Sequence, residues 1–375
     1  MKGLILSITA GQGHNQTAKV LNDEFNKHGI ECKFLDVYEY INPLLSDSVN
    51  RIYLMSTKAI PKIYGGVYRI CENRSINSSI GQRGLARLTN SVLSRKLIKL
   101  IQSEEPDFII CTHIFAALLV THISAIESLN ALTVGVITDF TIHPYWEDSL
   151  LDFYITASER LVIQGVKKGF PENKFLPLGI PIDPKFAKKM PQQEAKDTLG
   201  LAPKPAILVM SGSMGFGNVI QEIKELDRLD LDFQIVSVCG NNKRLKAKID
   251  LLKTRKKICN YGFVSNVDVF MDACDCIITK PGGLTTSEAL AKQIPMLMNN
   301  PIPGQEDRNV EFLLNSGAAI KISRTSPIDE AVYQLLTDKQ HLALMREAMR
   351  LLAKPNSARD LVSFVIDTVN ARSRA

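Results

Sequence analysis

Apolar residues in this chain gather in short runs, and between the runs they recur at helical spacing. The runs GLILSI (3–8), CKFLDVY (32–38), DFIICT (107–112), LTVGVIT (132–138), DFYITA (152–157) and FLPLG (175–179) predict strands. Helical patterns lie between them, as at 15–28 and 159–169. Near-continuous apolar strands separated by helices predict a parallel sheet covered on both faces. Residues 180–205 break the pattern: five prolines and mixed charge predict a linker. The pattern then restarts with PAILVMSGSMGFGN (205–218), and further strands are expected at 232–240, 257–264, 274–280 and 294–300. Helices fit at 242–255, 284–292, 306–316, 328–336, 339–353 and 357–370. The expected fold class is therefore α/β, with two doubly wound parallel-sheet, Rossmann-like domains facing a cleft, and the site beyond the carboxyl ends of the strands.

A length of 375 residues suits two such domains. Seven cysteines without paired spacing argue against a disulfide framework and for a reducing, cytoplasmic setting. Cys274 and Cys276 fall in an apolar run and read as strand rather than as a metal knuckle. The N-terminus lacks the features of a signal peptide, and no apolar run is long enough to span a bilayer.

Charge changes the picture more. The net charge is +6, yet residues 51–100 alone carry ten basic residues against Glu72, and residues 241–257 carry eight against Asp250. The remainder is acidic, so an anionic partner is expected for at least one basic stretch. In residues 51–74, Tyr53, Tyr64 and Tyr68 interleave with Lys58, Lys62 and Arg69, the mixture a membrane-surface element needs. No RNP, KH or zinc-knuckle pattern appears, which speaks against nucleic acid. For 241–257 a solvated basic face is preferred.

Several strand ends carry candidate chemistry. The loop AGQGH places Gly11 and Gly13 before His14, at or near a helix N-terminus whose dipole disfavours an imidazolium; a neutral imidazole there can act as a general base. In SGSMGFGN (211–218), Gly212, Gly215 and Gly217 can present backbone N–H groups to an anion, or simply turn the chain. In ITKPGGLTTSEAL (278–290), Gly282 and Gly283 open a helix whose N-terminus suits a diphosphate, and Glu288 could accept from a ribose diol. Ordinary capping by Ser or Thr fits the same residues. In 299–319, Gln305, Glu306, Asp307 and Asn309 could bind sugar hydroxyls or form an acidic helix start. In VITDFTIHPYWEDS (136–149), Asp139, His143 and Trp146 suit a sugar or acceptor site, with a packed core Trp146 as the competing reading.

Taken in order, TAGQGHNQTAKVL, VITDFTIHPYW, GIPIDPKF, ITKPGGLTTSEAL and PIPGQEDRNVEFLLNSGAAI resemble the diacylglycerol glycosyltransferases, bacterial processive glucosyltransferases and plant monogalactosyldiacylglycerol synthases. A more distant likeness is to the peptidoglycan enzyme that adds N-acetylglucosamine to a lipid-linked acceptor. The resemblance covers about residues 4–353. It implies a GT-B fold and an inverting, metal-independent transfer of glucose or galactose from a UDP-sugar to diacylglycerol, with no cofactor. By motif match, residues 1–184 take the acceptor and the membrane surface, residues 185–356 bind UDP-sugar, and helix 357–375 crosses back to the first domain. Gly212, Ser213, Gly215, Gly217, Gly282, Gly283 and Thr285 would hold the diphosphate. Phe263 and Val264 would face uracil, Glu288 the ribose, and Gln305, Glu306 and Asn309 the sugar or its neighbourhood. His14 is the leading candidate base and Asp139 its rival; Gly13, His143 and Trp146 would lie on the acceptor side. The implied location is peripheral, on the inner face of the cell membrane. Transfer to a polyprenyl-linked acceptor, a UDP-sugar epimerase and a non-catalytic regulator binding nucleotide or anionic lipid remain the alternatives.

Overall fold

The computed structural model describes residues 1–9, 12–41, 92–210, 218–302 and 304–374. These residues form two compact units: one of 1–183, 302–305 and 356–375, the other of 184–301 and 306–355.

In the first unit, strands β1 (Lys2–Ser7), β2 (Glu31–Asp36), β3 (Phe108–Cys111), β4 (Leu132–Val136), β5 (Phe153–Ile155) and β6 (Phe175–Leu176) form one parallel sheet in the order β2-β1-β3-β4-β5-β6. Alternation along the strands divides the apolar residues between two faces. Leu4, Leu6, Ile109 and Cys111 meet helices α3 (Val92–Glu104) and α4 (Ile114–Ile126). Ile5, Phe108 and Ile110 meet α1 (Gln12–Lys27) and the C-terminal helix 357–372. Phe25 stacks on Phe108 at 4.6 Å between ring centroids. A short helix α2 (Val37–Ile41) follows β2, and α5 (Arg160–Lys167) follows β5.

The second unit repeats the plan. Strands β7 (Ala206–Met210), β8 (Gln234–Val238), β9 (Ile258–Tyr261), β10 (Cys276–Thr279), β11 (Met296–Met298) and β12 (Ala319–Lys321) lie parallel in the order β12-β11-β10-β7-β8-β9. Around them in chain order are α6 (Gln192–Thr198), α7 (Val219–Arg228), α8 (Lys243–Asp250), α9 (Val267–Ala273), α10 (Gly283–Lys292), α11 (Gln305–Asn315), α12 (Ile328–Thr337) and α13 (Lys339–Leu352). The last helix, α14 (Ser357–Arg372), belongs to the first unit.

Three expectations change. The proline-rich stretch 180–205 is mostly not a linker: α6 packs on α9, Met190 N donates to Asp272, and the buried Lys196 ammonium reaches the Lys204 carbonyl at 2.9 Å. Strand β12 and helix α9 are additional elements; β12 is an edge strand that ends on the exposed Lys321 and so lacks a continuous apolar run. Cys274 ends α9 rather than lying in a strand, and only Cys276 is in β10.

Each sheet has one place where chain order reverses: between β1 and β3 in the first, and between β7 and β10 in the second. Loops leaving two neighbouring strands in opposite directions open a crevice there, the usual ligand position in such sheets.

Candidate active site

The crevice of the first unit is built from the ends of β1 and β3. Beyond β1, Thr9 donates through N (2.6 Å) and Oγ1 to Asp36 Oδ2, while Asp36 Oδ1 accepts from Tyr38 N (3.0 Å) and Glu39 N (3.1 Å). Asn15 completes the network: Ser7 Oγ donates to its Oδ1 at 2.6 Å, and its Nδ2 donates to Thr9 Oγ1 at 2.7 Å. The start of α1 is thereby tied to two strand ends.

His14 is the third residue of α1, inside the first turn rather than at the cap. Its Nδ1 lies 2.8 Å from the Thr112 carbonyl oxygen, just past β3, and 3.0 Å from Thr138 Oγ1, past β4. A carbonyl oxygen only accepts, so Nδ1 carries the hydrogen, and the neutral ring keeps its lone pair on Nε2. Burial holds the imidazole below its ordinary value, partly offset by Asp139 and by the Thr112 hydrogen bond. The group is thus a neutral base with one available nitrogen.

Two other imidazoles stand close by. His113 packs edge-on against His14, with ring centroids 4.6 Å apart and planes at 75°. Its Nδ1 accepts from Phe115 N at 3.2 Å and caps α4. Burial, then the proximity of His14 and His143, holds it well below the usual histidine range. His143 caps the 3₁₀ turn Pro144–Asp148 through Tyr145 N at 3.1 Å; burial and Lys168 push it down to about 4. Asp139 is half-buried and accepts from Gln305 Nε2, whose residue groups with this unit.

Trp146 requires a correction. It is only 4% exposed and sits in the core, edge-on to Tyr154. A Cβ on Gly135 would come within 2.8 Å of its ring, so the glycine makes room for the indole. The side chain therefore has no exposed face to offer an acceptor.

In the second unit, β10 ends at Thr279 and α10 begins at Gly283. Its N-cap is Gly282, and no side chain caps it; Ser287 Oγ instead donates back to Gly283 O at 2.9 Å. Capping by Ser or Thr is thus not what these residues do. Among the described residues, Thr286 Oγ1, one turn in, is buried without a hydrogen-bond partner, and a Cβ on Gly282 would meet nothing within 4 Å. Uncapped amides, a buried hydroxyl and open space together favour an anion. Thr285 and Glu288 are half-buried on the same helix. Phe263, in the turn after β9, leaves 67% of its surface exposed, and Val264 is half-buried.

Asn309 also differs from expectation. It is wholly buried, and its Nδ2 donates to the Pro281 carbonyl at 2.8 Å, so it supports the glycine turn instead of facing a sugar. Glu306 is half-buried at the start of α11. Gly212, Ser213, Gly215, Gly217, Tyr53, Lys58, Lys62, Tyr64, Tyr68 and Arg69 lie outside the described residues.

Sequence reasoning missed His113, Thr138, the Asn15–Thr9–Asp36 network and Glu222. His113 could have been found, because it ends a buried strand and opens a helix, the same signature as His14. Glu222, in α7, is buried, and its Oε1 accepts from Asn299 Nδ2 at 2.6 Å and Asn300 Nδ2 at 3.3 Å. Burial raises its carboxyl to about 7.

Residues 14–182 match the family model described as monogalactosyldiacylglycerol (MGDG) synthase, and residues 206–362 match the glycosyltransferase family 28 C-terminal domain. A processive diacylglycerol beta-glucosyltransferase of Bacillus pumilus is 32% identical across 98% of this chain and 94% of its own. The chain belongs to the diacylglycerol glycosyltransferase family. A Bacillus cereus relative of the same name is 30% identical over 99% of this chain and 94% of its own. Among solved structures, MurG of Acinetobacter baumannii superposes with a TM-score of 0.63 at 13% identity, covering 98% of this chain and 99% of that one. Anabaena HepE in complex with UDP superposes at 0.60 and 13% identity, covering 99% and 100%. The fold of this glycosyltransferase is therefore GT-B.

Proposed function

We propose that this glycosyltransferase moves a hexosyl group from a UDP-sugar to the free hydroxyl of diacylglycerol, with inversion and without a metal ion. The observation that carries the reading is the His14 geometry: Nδ1–H is directed at the Thr112 carbonyl, leaving an unprotonated Nε2 at the β1/β3 crevice. His14 Nε2 takes the proton as the hydroxyl oxygen bonds to the anomeric carbon. The bond from that carbon to the diphosphate breaks, and its electron pair leaves with UDP. Charge growing on the diphosphate is met by the open amides and dipole of α10, the role a metal plays elsewhere. Phe263 offers an exposed ring to the base. Glu288 and Glu306 are the carboxylates proposed for ribose and sugar hydroxyls. Asp139, tied to Gln305, acts on His14 as a neighbouring charge, and the base is His14.

Glucose and galactose both remain donors in this reading; the names of the Bacillus relatives favour glucose. Among the described residues no helix is long and apolar enough to cross a membrane. The enzyme reaches its lipid from the surface of the inner leaflet, through the basic, aromatic stretch 51–100. The test is purified protein with several UDP-sugars and diacylglycerol micelles, lipid products being analysed by mass and anomeric configuration. UDP release that requires diacylglycerol and survives EDTA is expected. Release without it, or loss of transfer on chelation, overturns the acceptor or the metal-free claim respectively.

A further inference from the structure

We infer that His113 is a positioning residue for His14: the Thr112–His113 pair fixes both the tautomer and the ring plane of the base. The inference rests on the reading of His14 as base, and it adds a second imidazole with a different task.

Three contacts converge. Thr112 O takes the hydrogen of His14 Nδ1 at 2.8 Å. The next residue, His113, holds the backbone at that point by accepting from Phe115 N at the start of the 13-residue helix α4. Its ring then closes on His14 edge-on, at 4.6 Å. The helix cap aims the carbonyl, the carbonyl sets the hydrogen, and the ring keeps water from that side of the base. With Nδ1 of His113 occupied as an acceptor, its hydrogen sits on Nε2, and it cannot duplicate the task of His14.

Among the described residues, the charged and titratable groups bearing on this pair are Asp139, beyond β4, which favours the imidazolium of His14; His143, beyond Thr141, which opposes charge on His113; and Lys168, after α5, which opposes charge on His143. A neutral His113 is therefore the stable form, and it adds desolvation to His14 without adding charge.

The experiment uses the full chain with isotope-labelled histidine, read by NMR and by pH–rate profiles with UDP-sugar and diacylglycerol. His113→Asn keeps an oxygen able to cap α4 but removes the ring. It should raise the pKa of His14 by about half a unit or more as water enters. The acid limb of kcat/KM should follow, and kcat should fall about tenfold with KM for UDP-sugar unchanged. His113→Phe keeps a ring but removes the cap, and should leave His14 a mixture of tautomers with reduced kcat. A His14 pKa and a kcat both unchanged in His113→Asn overturn the inference. Should that variant not fold, retention of the single Nδ1–H tautomer and wild-type kcat in His113→Phe overturns it. His14→Ala separates the two readings. Normal turnover in His14→Ala removes the base while the NMR coupling stands; an inactive His14→Ala beside a silent His113→Asn removes only the positioning role.

Discussion

At the scale of single residues, function rests on which nitrogen of which histidine carries a hydrogen. His14, His113 and His143 are each held below the ordinary range mainly by burial, but His14 alone gives its Nδ1–H to a carbonyl. Removing the base in His14→Ala should lower kcat by about 10²–10⁴-fold with the fold intact, measured by UDP release. The sign of the pH dependence follows from the lowered pKa. The working form is neutral, so the rate should be level around neutrality and fall only on the acid side, below the ordinary histidine value of 6.5. Thr138→Val removes the second partner of Nδ1 and should cost a few-fold in kcat without changing KM for UDP-sugar, by steady-state kinetics. His14 was legible in the sequence because two glycines and a strand end frame it. The role of Asn309 is not legible in the sequence, because it depends on Pro281, 28 residues away in the chain. Trp146 allows two readings in the sequence, because the room for its ring is made by Gly135 on another element.

At the scale of elements, the strands were readable because buried parallel strands are apolar almost throughout. Strand β12 was not: it lies at the sheet edge, only partly buried, and ends on the exposed Lys321, so no apolar run marks it. What no periodicity reveals is how one element is tied to another. Glu222 links α7 to the end of β11 through Asn299 and Asn300. Its carboxyl keeps a proton up to about 7 in the folded state, while an exposed glutamate releases it above 4.5. The folded form binds more protons in that window, so stability falls as pH rises through it. Glu222→Gln should therefore gain thermal stability over wild type at pH 8.5 and show little difference at pH 5. Scanning calorimetry at the two pH values checks this. Helix α14 meets α1 through Leu361, Val362 and Val365, all wholly buried. Leu361→Ala should destabilise the first unit by about 2–5 kcal/mol, seen as faster hydrogen exchange in β1 and β3.

At the scale of the whole molecule, the uneven charge is the main property that the strand and helix pattern does not carry. If the stretch 51–100 meets anionic lipid, binding to phosphatidylglycerol vesicles should weaken steeply with salt. It should be largely lost when Lys58, Lys62 and Arg69 are neutralised, with UDP-sugar binding unaffected; co-sedimentation measures the first and calorimetry the second. The division of the chain has another consequence. The first unit comprises residues 1–183 and 302–305 and takes its last helix from 356–375. During synthesis, 172 residues must be added between its first large segment and that helix. At common translation rates this takes about 10–35 s. Throughout that interval the face bearing Phe25 and Phe108 waits on the ribosome without its cover, a natural point for a chaperone to hold the nascent chain.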